Sequence, residues 1–253
     1  QLLLHTITGK KSTADWSIGL CLNKSVAMLV GMLGVLVSGA AYIPLDPTYP
    51  AKRSVAISQD ASFGGLVIAE SSGTRYFVQP SSSVIYKKAW WSSGGRSMSY
   101  MIYTSGSTGL PKGVVLEHVN SQHFVGVAKE IDQIMATPRV AVFVFSYTFD
   151  GHVSSVFPAY SRATALVVYP KLQLYGAFND TILKHRANTI VITPSSLSAL
   201  TPRRSNCTLD SMILGAEVVT ESLRLLWSGA LTHLLNAYGP SEASVYVTFT
   251  RLS

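Results

Sequence analysis

The stretch YTSGSTGLPKGV, residues 103–114, determines how the rest of this sequence is interpreted. Its glycines at positions 106, 109 and 113 allow positive φ angles or a close approach of the backbone to a ligand. Four small hydroxyl side chains and Lys112 add hydrogen-bond donors and a positive charge. This combination suits the oxygen atoms of a polyphosphate. A glycine- and serine-rich hairpin between two strands fits the same composition, and composition alone does not separate the two interpretations.

The segments on either side of this stretch are apolar and favour strands. SYMIY precedes it at residues 99–103, and VVLEH follows its final glycine. A P-loop requires a glycine before its lysine and a helix after it, whereas here the lysine follows proline and a strand is predicted next. The stretch is therefore not a Walker loop.

The same alternation of short apolar runs and helical segments continues along the chain. It is typical of an α/β protein with mostly parallel sheets and flanking helices, in which ligands lie at the carboxyl ends of strands. Buried strands are predicted at residues 16–22, 64–69, 99–103, 140–145, 165–169, 188–193, 211–215 and 233–238. Helices are predicted at residues 24–38, 121–136, 179–186, 195–200 and 221–228. Residues 70–98, rich in serine and glycine, are predicted to form a surface connection.

Length and composition exclude several classes of protein. The chain has 253 residues, of which 47% are hydrophobic and 13% are charged, a balance that suits a large buried core rather than a disordered chain. The formal net charge is +7, but the basic residues are scattered, so we expect no nucleic-acid partner. A phosphate-bearing small ligand fits the same charge.

Residues 26–43 form an apolar run that is long enough to be weighed as a membrane span. Three glycines and a serine interrupt this run, and a proline-rich segment follows it directly. We therefore favour a buried helix and expect no membrane partner.

The two cysteines, Cys21 and Cys207, lack the spacing of metal ligands and are predicted to be reduced structural thiols of a cytoplasmic protein. The chain begins with Gln1, and its first residues lack the pattern of a signal peptide. We expect it to be a piece of something longer.

Three further motifs accompany the hydroxyl-rich stretch. They are GAAYIPLDPTYP at residues 39–50, FDGHV at 149–153 and NAYGPSEASV at 236–245. Together the four motifs resemble the adenylate-forming (AMP-binding) superfamily, and in particular the adenylation domains of nonribosomal peptide synthetases. The stretch at 103–114 is similar to the superfamily's phosphate loop, Thr-Ser-Gly-[Ser/Thr]-Thr-Gly-x-Pro-Lys-Gly. Because the motifs cover nearly the whole chain, residues 1–253 are identified as one AMP-binding adenylation domain, incomplete at both ends.

The resemblance implies a fold, an activity and partners. The expected fold is the core of the large N-terminal subdomain, without the C-terminal lid domain. The expected reaction is the ATP-dependent conversion of an amino acid carboxylate to an aminoacyl-adenylate, for which Mg²⁺ and hydrogen-bond donors offset the charge of the phosphates. The implied partners are a carrier domain with a phosphopantetheine arm, a condensation domain and the C-terminal adenylation domain. Since a lid excludes water and completes a site, this chain alone is expected to turn over slowly or not at all.

The resemblance also assigns residues to an ATP site. Glu242 is implied to bind Mg²⁺ and Ser241 to hydrogen-bond the α-phosphate, and together with Thr104 they are the implied catalytic residues. Tyr238 is expected to cover one face of the adenine, and Asn236 to meet its exocyclic amine. The implied nucleotide-binding set is Thr104, Ser105, Gly106, Ser107, Thr108, Gly109, Lys112, Gly215, Ala216, Glu217, Asn236, Ala237, Tyr238 and Ser241.

Asp150 points to an amino acid as the substrate. A lone acid behind the apolar run VFVFSYTF is costly to bury unless a cation or several donors pair with it. In amino-acid-activating members of the family, the aspartate at this place binds the α-ammonium group; the alternative is a helix-capping acid. The implied substrate pocket consists of Phe149, Asp150, Gly151, Ser154, Ile192, Ile213, Gly215, Ala237, Val245 and Tyr246. These residues suggest a neutral, largely apolar side chain of medium or large size.

Two positions depart from the family's motifs. His152 stands where the motif usually has serine, and Ser241 replaces the commoner threonine. No other metal ligand lies at a suitable spacing, so His152 is expected to be an ordinary packed or surface histidine. Two alternative functions stay open: an acyl or aryl acid–CoA ligase of the same superfamily, and a catalytically inactive nucleotide-binding remnant.

Overall fold

The computed structural model describes residues 17–61, 65–70, 73–77, 96–105, 111–134, 140–169, 176–202 and 208–252. The chain divides into two compact units, Gln1–Gln122 and His123–Ser253. Each unit contains a six-stranded sheet with helices. This mixed α/β architecture with two largely parallel sheets confirms the predicted fold class.

The sheet of the first unit is parallel in its interior and antiparallel at its edges. Its strands are β1 (Ser17–Cys21), β2 (Ala41–Leu45), β3 (Gly65–Glu70), β4 (Gly73–Phe77), β5 (Met98–Ser105) and β6 (Pro111–Glu117). Their order in the sheet is β4-β3-β1-β2-β5-β6, and β4 and β6 are the antiparallel edge strands. The helices of this unit are α1 (Val26–Val37) and α2 (Ala51–Ala61), and α3 (His118–Ile134) begins in it.

The apolar run at residues 26–43 forms two elements, because α1 ends at Val37 and β2 begins at Ala41. The side chain of Ser25 caps α1 by accepting a hydrogen bond from the backbone N–H of Met28 at 3.2 Å. One face of α1 packs on β1 and β2, while its other face, with Val26, Val30, Leu33 and Val37, is exposed. The prediction of a buried helix is therefore right for one face only. No helix among the described residues has both the length and the apolar character needed to cross a membrane.

The sheet of the second unit is parallel except at one edge. Its strands are β7 (Val140–Phe143), β8 (Ala165–Val168), β9 (Thr189–Ile192), β10 (Ser211–Gly215), β11 (His233–Tyr238) and β12 (Thr248–Arg251). Their order is β12-β11-β10-β9-β7-β8, and only β12 runs antiparallel to its neighbour. The helices are α4 (Val153–Arg162), α5 (Phe178–His185), α6 (Pro194–Ser198) and α7 (Glu221–Ser228), with short 3₁₀ turns at Asp150–His152 and Ser241–Ala243.

Side chains along the central strands of the second unit point alternately to the two faces of the sheet, and only one of these faces carries the buried core. Ile190, Ile192, Met212 and Leu214 belong to one buried cluster, which also contains Trp227 of α7. Their neighbours in sequence, such as Val191 and Ile213, point to the other face of the sheet. Because β9 to β11 run in parallel, their carboxyl ends lie along one edge.

Each strand and helix predicted from the sequence corresponds to an element of the structure, with shifted ends. The prediction missed β2, α2, β4, α4 and β12. Strand β4 lies inside the segment that was predicted to be a surface connection, while residues 78–95 lie outside the described part of the chain. Cys21 is a half-buried free thiol, as predicted, and Cys207 lies outside the described residues.

Candidate functional site

The hydroxyl-rich stretch of the first unit forms the ends of two antiparallel strands. Thr104 in β5 pairs with Lys112 in β6, and Ser105 pairs with Pro111. Lys112 is exposed. The predicted phosphate-binding residues Gly106, Ser107, Thr108 and Gly109 lie outside the described residues. The strand after the lysine confirms that the stretch is not a P-loop, which requires a helix there.

A hydrogen bond fixes strand β5 at the start of this stretch. The hydroxyl of Tyr103 donates to Oδ2 of Asp60 in α2 at 2.6 Å. Burial, together with this bond to the carboxylate, raises the pKa of Tyr103. The strand that carries Thr104 is thereby tied to a helix 43 residues earlier in the sequence.

Neighbouring strands of the second unit bring together the residues that the sequence assigned to the adenine. Gly215 at the end of β10 pairs with Ala237 in β11, and Leu214 pairs with Asn236. Ala216 follows with a φ of 71°, a left-handed conformation that turns the chain away from the sheet. The segment 215–217 and the segment 236–238 therefore adjoin at the carboxyl edge of the sheet.

The side chain of Glu217 holds the first of these segments in place. Its two carboxylate oxygens accept hydrogen bonds from the backbone N–H and the hydroxyl of Ser195, both at 2.7 Å. Ser195 lies in the first turn of α6, where an acidic group is favourable. No sequence pattern indicates this contact, because the two residues are 22 positions apart.

Asn236 and Tyr238 present different groups at the same edge. The side-chain oxygen of Asn236 is buried and accepts no hydrogen bond within the described residues. The ring of Tyr238 is 66% exposed. An unused acceptor beside an exposed aromatic ring is an arrangement that suits a flat base with an amino group.

The turn at residues 239–247 connects β11 to β12 and presents Ser241 and Glu242. It is closed by a hydrogen bond from the backbone N–H of Val247 to the carbonyl of Tyr238 at 2.8 Å. Ser244 and Val245 have φ angles of 63° and 77°, which are unusual for a serine and more so for a β-branched residue. A Cβ on Gly239 would overlap the carbonyl oxygen of Val245.

Asp150 is a buried acid that lies beside this turn. Asp150 is only 4% exposed. Burial raises the pKa of Asp150, hydrogen bonds from the Ser241 hydroxyl and from backbone N–H groups lower it, and the charge of Glu242 raises it again. The sequence-based expectation that this acid needs several donors is met by Ser241 and the backbone. A cation would also favour its charged form.

Phe149 packs over Gly151, next to Asp150. A Cβ on Gly151 would lie 2.6 Å from the Phe149 ring, so this ring position requires glycine. Phe149 also contacts Phe145, with ring centroids 5.5 Å apart, and it is exposed on its other side. Phe149 therefore lies at the surface over Gly151, the residue that follows the acid.

His152 is completely buried and confirms the expectation of a packed histidine. Its Nδ1 lies 2.7 Å from the carbonyl oxygen of Phe149, which indicates that the proton of the neutral ring is on Nδ1. Burial lowers the pKa of His152 to about 4. The ring is neutral near pH 7 and fixes the backbone before Asp150.

A cavity in the second unit contains part of the predicted amino acid pocket. Ser154, Ile213 and Tyr246 line it, and Val191 of β9 does so as well. The predicted pocket residue Ile192 does not line this cavity, because it lies in the core cluster on the other face of the sheet. A Cβ on Gly215 would lie 3.9 Å from the Tyr246 ring. Three of the ten predicted pocket residues, Ser154, Ile213 and Tyr246, therefore line this cavity.

Glu242 is the residue that the sequence assigned to a metal. It is exposed in the 3₁₀ turn Ser241–Ala243, and its charge acts on Asp150. No group of three or more histidine, cysteine, aspartate or glutamate side chains forms a metal site in the part of the chain that the structure describes. One carboxylate fits Mg²⁺ where phosphate oxygens and water supply the other ligands.

Comparison with known proteins agrees with this geometry. The AMP-binding enzyme family matches residues 7–253, and the chain therefore belongs to that family. Nonribosomal peptide synthetase 7 of Aspergillus fumigatus is 33% identical over 248 residues, which cover 91% of this chain and 10% of that protein. Malpinin synthetase of Mortierella alpina is 27% identical over 275 residues, which cover 99% of this chain and 4% of that protein. The chain thus spans a small part of these relatives.

Solved structures share the fold. A holo four-domain nonribosomal peptide synthetase bound to AMP and glycine has a TM-score of 0.75 and 22% identity, covering 96% of this chain and 19% of that chain. The AMPPNP-bound form of the nonribosomal peptide synthetase FmoA3 has a TM-score of 0.79 and 18% identity, covering 100% of this chain and 28% of that chain. The fold is that of the large N-terminal subdomain of an adenylation domain, as the motifs predicted.

Proposed function

We propose that this chain is the core of an adenylation domain that activates an amino acid with ATP within a nonribosomal peptide synthetase. The observation that carries the proposal is Asp150, a buried carboxylate whose pKa is raised by burial. It lies beside Ser241 and close to a cavity lined by Ser154 and Tyr246. The ammonium group of an amino acid supplies the cation that favours the charged form of such a group.

The amino acid is held at both of its common groups. Asp150 accepts hydrogen bonds from the α-ammonium group, and Phe149 lies next to it at the surface, beside the reacting carboxylate. Because Gly151 leaves room for the Phe149 ring, this ring has a defined place over Gly151. The side chain of the amino acid enters the cavity that Ile213, Val191 and Tyr246 line.

The nucleotide is held by the groups that the family resemblance assigns to it. The side-chain oxygen of Asn236 accepts from the exocyclic amine of adenine, and the exposed ring of Tyr238 stacks on the base. Ser241 donates to the α-phosphate once the ammonium group of the substrate has replaced it as a donor to Asp150, and Thr104, Lys112 and the loop residues 105–109 donate to the phosphates. Each donor reduces the charge repulsion that opposes attack of the carboxylate on the α-phosphorus.

Glu242 would hold Mg²⁺, which would supply positive charge against the phosphates. The exposed carboxylate fits this role because it leaves most coordination positions to phosphate oxygens and water. Removing Mg²⁺ with a chelator is expected to abolish adenylate formation.

The remaining parts of the proposal concern the larger protein. They comprise a carrier domain whose phosphopantetheine arm receives the activated amino acid, a condensation domain, the C-terminal adenylation domain that closes the site, and a location in the cytoplasm. The relatives are named as synthetases of which this chain covers 10% or less, which supports such a multidomain context.

Amino-acid-dependent exchange of pyrophosphate into ATP tests the proposal, measured on the natural polypeptide that contains this chain. We expect exchange with at least one amino acid, and we expect Asp150→Ala to abolish it. Activity with fatty or aryl acids that survives Asp150→Ala would assign the chain to the acid–CoA ligases instead. Nucleotide binding without any acid-dependent exchange would favour an inactive nucleotide-binding remnant.

A further inference from the structure

The cavity in the second unit extends beyond the pocket that the family motifs define. Its volume is about 50 Å³. Ser154, Ile213 and Tyr246 belong to the motif-derived pocket, whereas Ser155, Arg162 and Thr189 line the same cavity and lie outside it. The motifs therefore describe only part of the surface that a substrate side chain would meet.

Two hydroxyl groups in this cavity have unused hydrogen-bonding capacity. The hydroxyls of Ser155 and Thr189 are buried and form no hydrogen bond with another described residue. These residues are only 6% and 5% exposed, so bulk water does not reach them freely. A third hydroxyl, that of Tyr246, is buried at the same cavity beside Ser154. Buried polar groups normally have a partner, and two without one around a single cavity point to a polar occupant.

The charge of the cavity narrows the chemistry of that occupant. Arg162 lines the cavity, and a guanidinium group can only donate hydrogen bonds. Hydroxyl groups can donate or accept, so an occupant that accepts matches both the guanidinium group and the hydroxyl groups. No acidic side chain is among the described residues that line it. An sp² oxygen of a carboxylate or of an amide matches this set.

The volume of the cavity agrees with a carboxylate or amide group as its occupant. About 10–15 Å³ of such a cavity holds one water molecule, so about 50 Å³ has room for a carboxylate or amide group. Apolar residues such as Ile131, Pro158 and Val191 line the rest of the cavity and suit the methylene groups of a short stem.

We propose that this cavity is the distal end of the substrate pocket and that the activated amino acid is Asp, Asn, Glu or Gln, whose side chain ends in an acceptor oxygen. The inference rests on the proposed function. It differs from the sequence-based expectation of a largely apolar side chain because it also uses Ser155, Arg162 and Thr189, which lie outside the family motifs. Ser155 and Thr189 act as specificity-determining residues for the proposed reaction.

Pyrophosphate exchange in the natural polypeptide tests the inference with two groups of amino acids. Gln, Glu, Asn and Asp form one group, and Leu, Met and Phe form the other. We expect kcat/KM to be at least about tenfold higher for a member of the first group, because a site built to hydrogen-bond a substrate rejects analogues that lack the group. Comparison of Gln with Glu, and of Asn with Asp, then separates the amide from the carboxylate.

A matched pair of variants at Thr189 separates the hydroxyl from the shape of the side chain. Thr189→Val keeps the shape and removes the hydroxyl, and we expect it to lower kcat/KM for the preferred amino acid about tenfold. Thr189→Ser keeps the hydroxyl and is expected to retain most of the activity. If Thr189→Val does not fold, Ser155→Ala is measured in its place. The amino acid preference of the unmodified protein tests the inference independently of either variant.

The outcomes distinguish this inference from the proposed function. Preference for Leu, Met or Phe, or unchanged kinetics in Thr189→Val, would mean that water fills the cavity; the inference would then be overturned, while adenylation would stand. Absence of exchange with every amino acid would overturn both. Preference for an acceptor-bearing amino acid that Thr189→Val weakens would support both.

Discussion

The hairpin at residues 103–114 and the turn at residues 239–247 both combine glycine with hydroxyl residues, but their backbones differ. Around the hairpin, Thr104 and Lys112 are regular cross-strand partners. In the turn, Ser244 and Val245 both have positive φ angles, and Gly239 has no room for a Cβ. The described ends of the first stretch therefore form a regular ladder, whereas the second forms a strained turn. Strain that the surrounding structure maintains is typical of functional positions.

We expect the largest difference in the free energy of unfolding between two alanine substitutions, one at Gly239 in the turn and one at Gly113 in the hairpin. Gly239→Ala places a methyl group against the carbonyl oxygen of Val245, so backbone has to move. We expect a loss of about 4 kcal/mol in the free energy of unfolding, which is large for a single substitution. Gly113→Ala meets the side chains of Met101 and Tyr103 at 3.0 and 3.2 Å, which can shift, and about 1 kcal/mol is expected.

Urea unfolding of both variants measures this difference. Equal losses for Gly239→Ala and Gly113→Ala would show that the turn is no more constrained than the hairpin.

His152 provides a test of the region that adjoins the turn. Its pKa is about 4 in the folded protein and 6.5 for an ordinary histidine, so the unfolded chain takes up the proton first as the pH falls. The stability that the neutral His152 ring contributes is fully present above pH 6.5. It falls by about 3 kcal/mol in total as the pH is lowered to 4. His152→Ser, which restores the residue usual in the family motif, is expected to remove this component of the pH dependence.

Thermal unfolding of the unmodified protein and of His152→Ser between pH 4 and pH 8 measures this pH dependence of stability. An equally steep pH dependence in His152→Ser would assign the effect to other groups.

Tyr103→Phe tests the anchor of the hairpin. The substitution removes the hydrogen bond to Asp60 and keeps the ring, so we expect the free energy of unfolding to fall by about 1.5 kcal/mol. The double variant Tyr103→Phe with Asp60→Asn, together with each single variant, isolates the coupling between the two groups. A coupling energy near zero would mean that the contact at 2.6 Å does not stabilise the strand.

Ser244→Gly is expected to have the smallest effect, and a favourable one. Glycine adopts a φ of 63° without the penalty that serine carries, so the free energy of unfolding should rise by about 0.5 kcal/mol. Urea unfolding measures the change. A decrease in stability would show that the Ser244 side chain contributes more than its backbone strain costs.

Periodicity and motif order predicted much of the fold because the apolar runs at residues 211–215 and 233–238 are strands that are buried along most of their length. Strand β2 was missed because its proline and its overlap with a motif concealed a strand of five buried residues. Helix α4 was missed because a proline lies inside it.

The site shows the limit of sequence reasoning more clearly. Asp150 was singled out because an isolated acid behind an apolar run is conspicuous and because its motif, FDGHV, resembles that of the family. The contact between Glu217 and Ser195, the strain at Val245 and the lining by Thr189 depend on tertiary packing, which leaves no local pattern. Ile192 and Val191 are adjacent in sequence, and the direction of the strand's side chains decides which of them lines the cavity.

The central claim is that Asp150 binds the α-ammonium group of the substrate, and the steady-state KM of pyrophosphate exchange tests it most directly. In the natural polypeptide, Asp150→Asn removes the charge and keeps the shape. The account predicts that this substitution raises KM for the amino acid about 100-fold, as expected for the loss of a buried charge pair, and leaves KM for ATP nearly unchanged. Equal KM values for the amino acid in both proteins would contradict it.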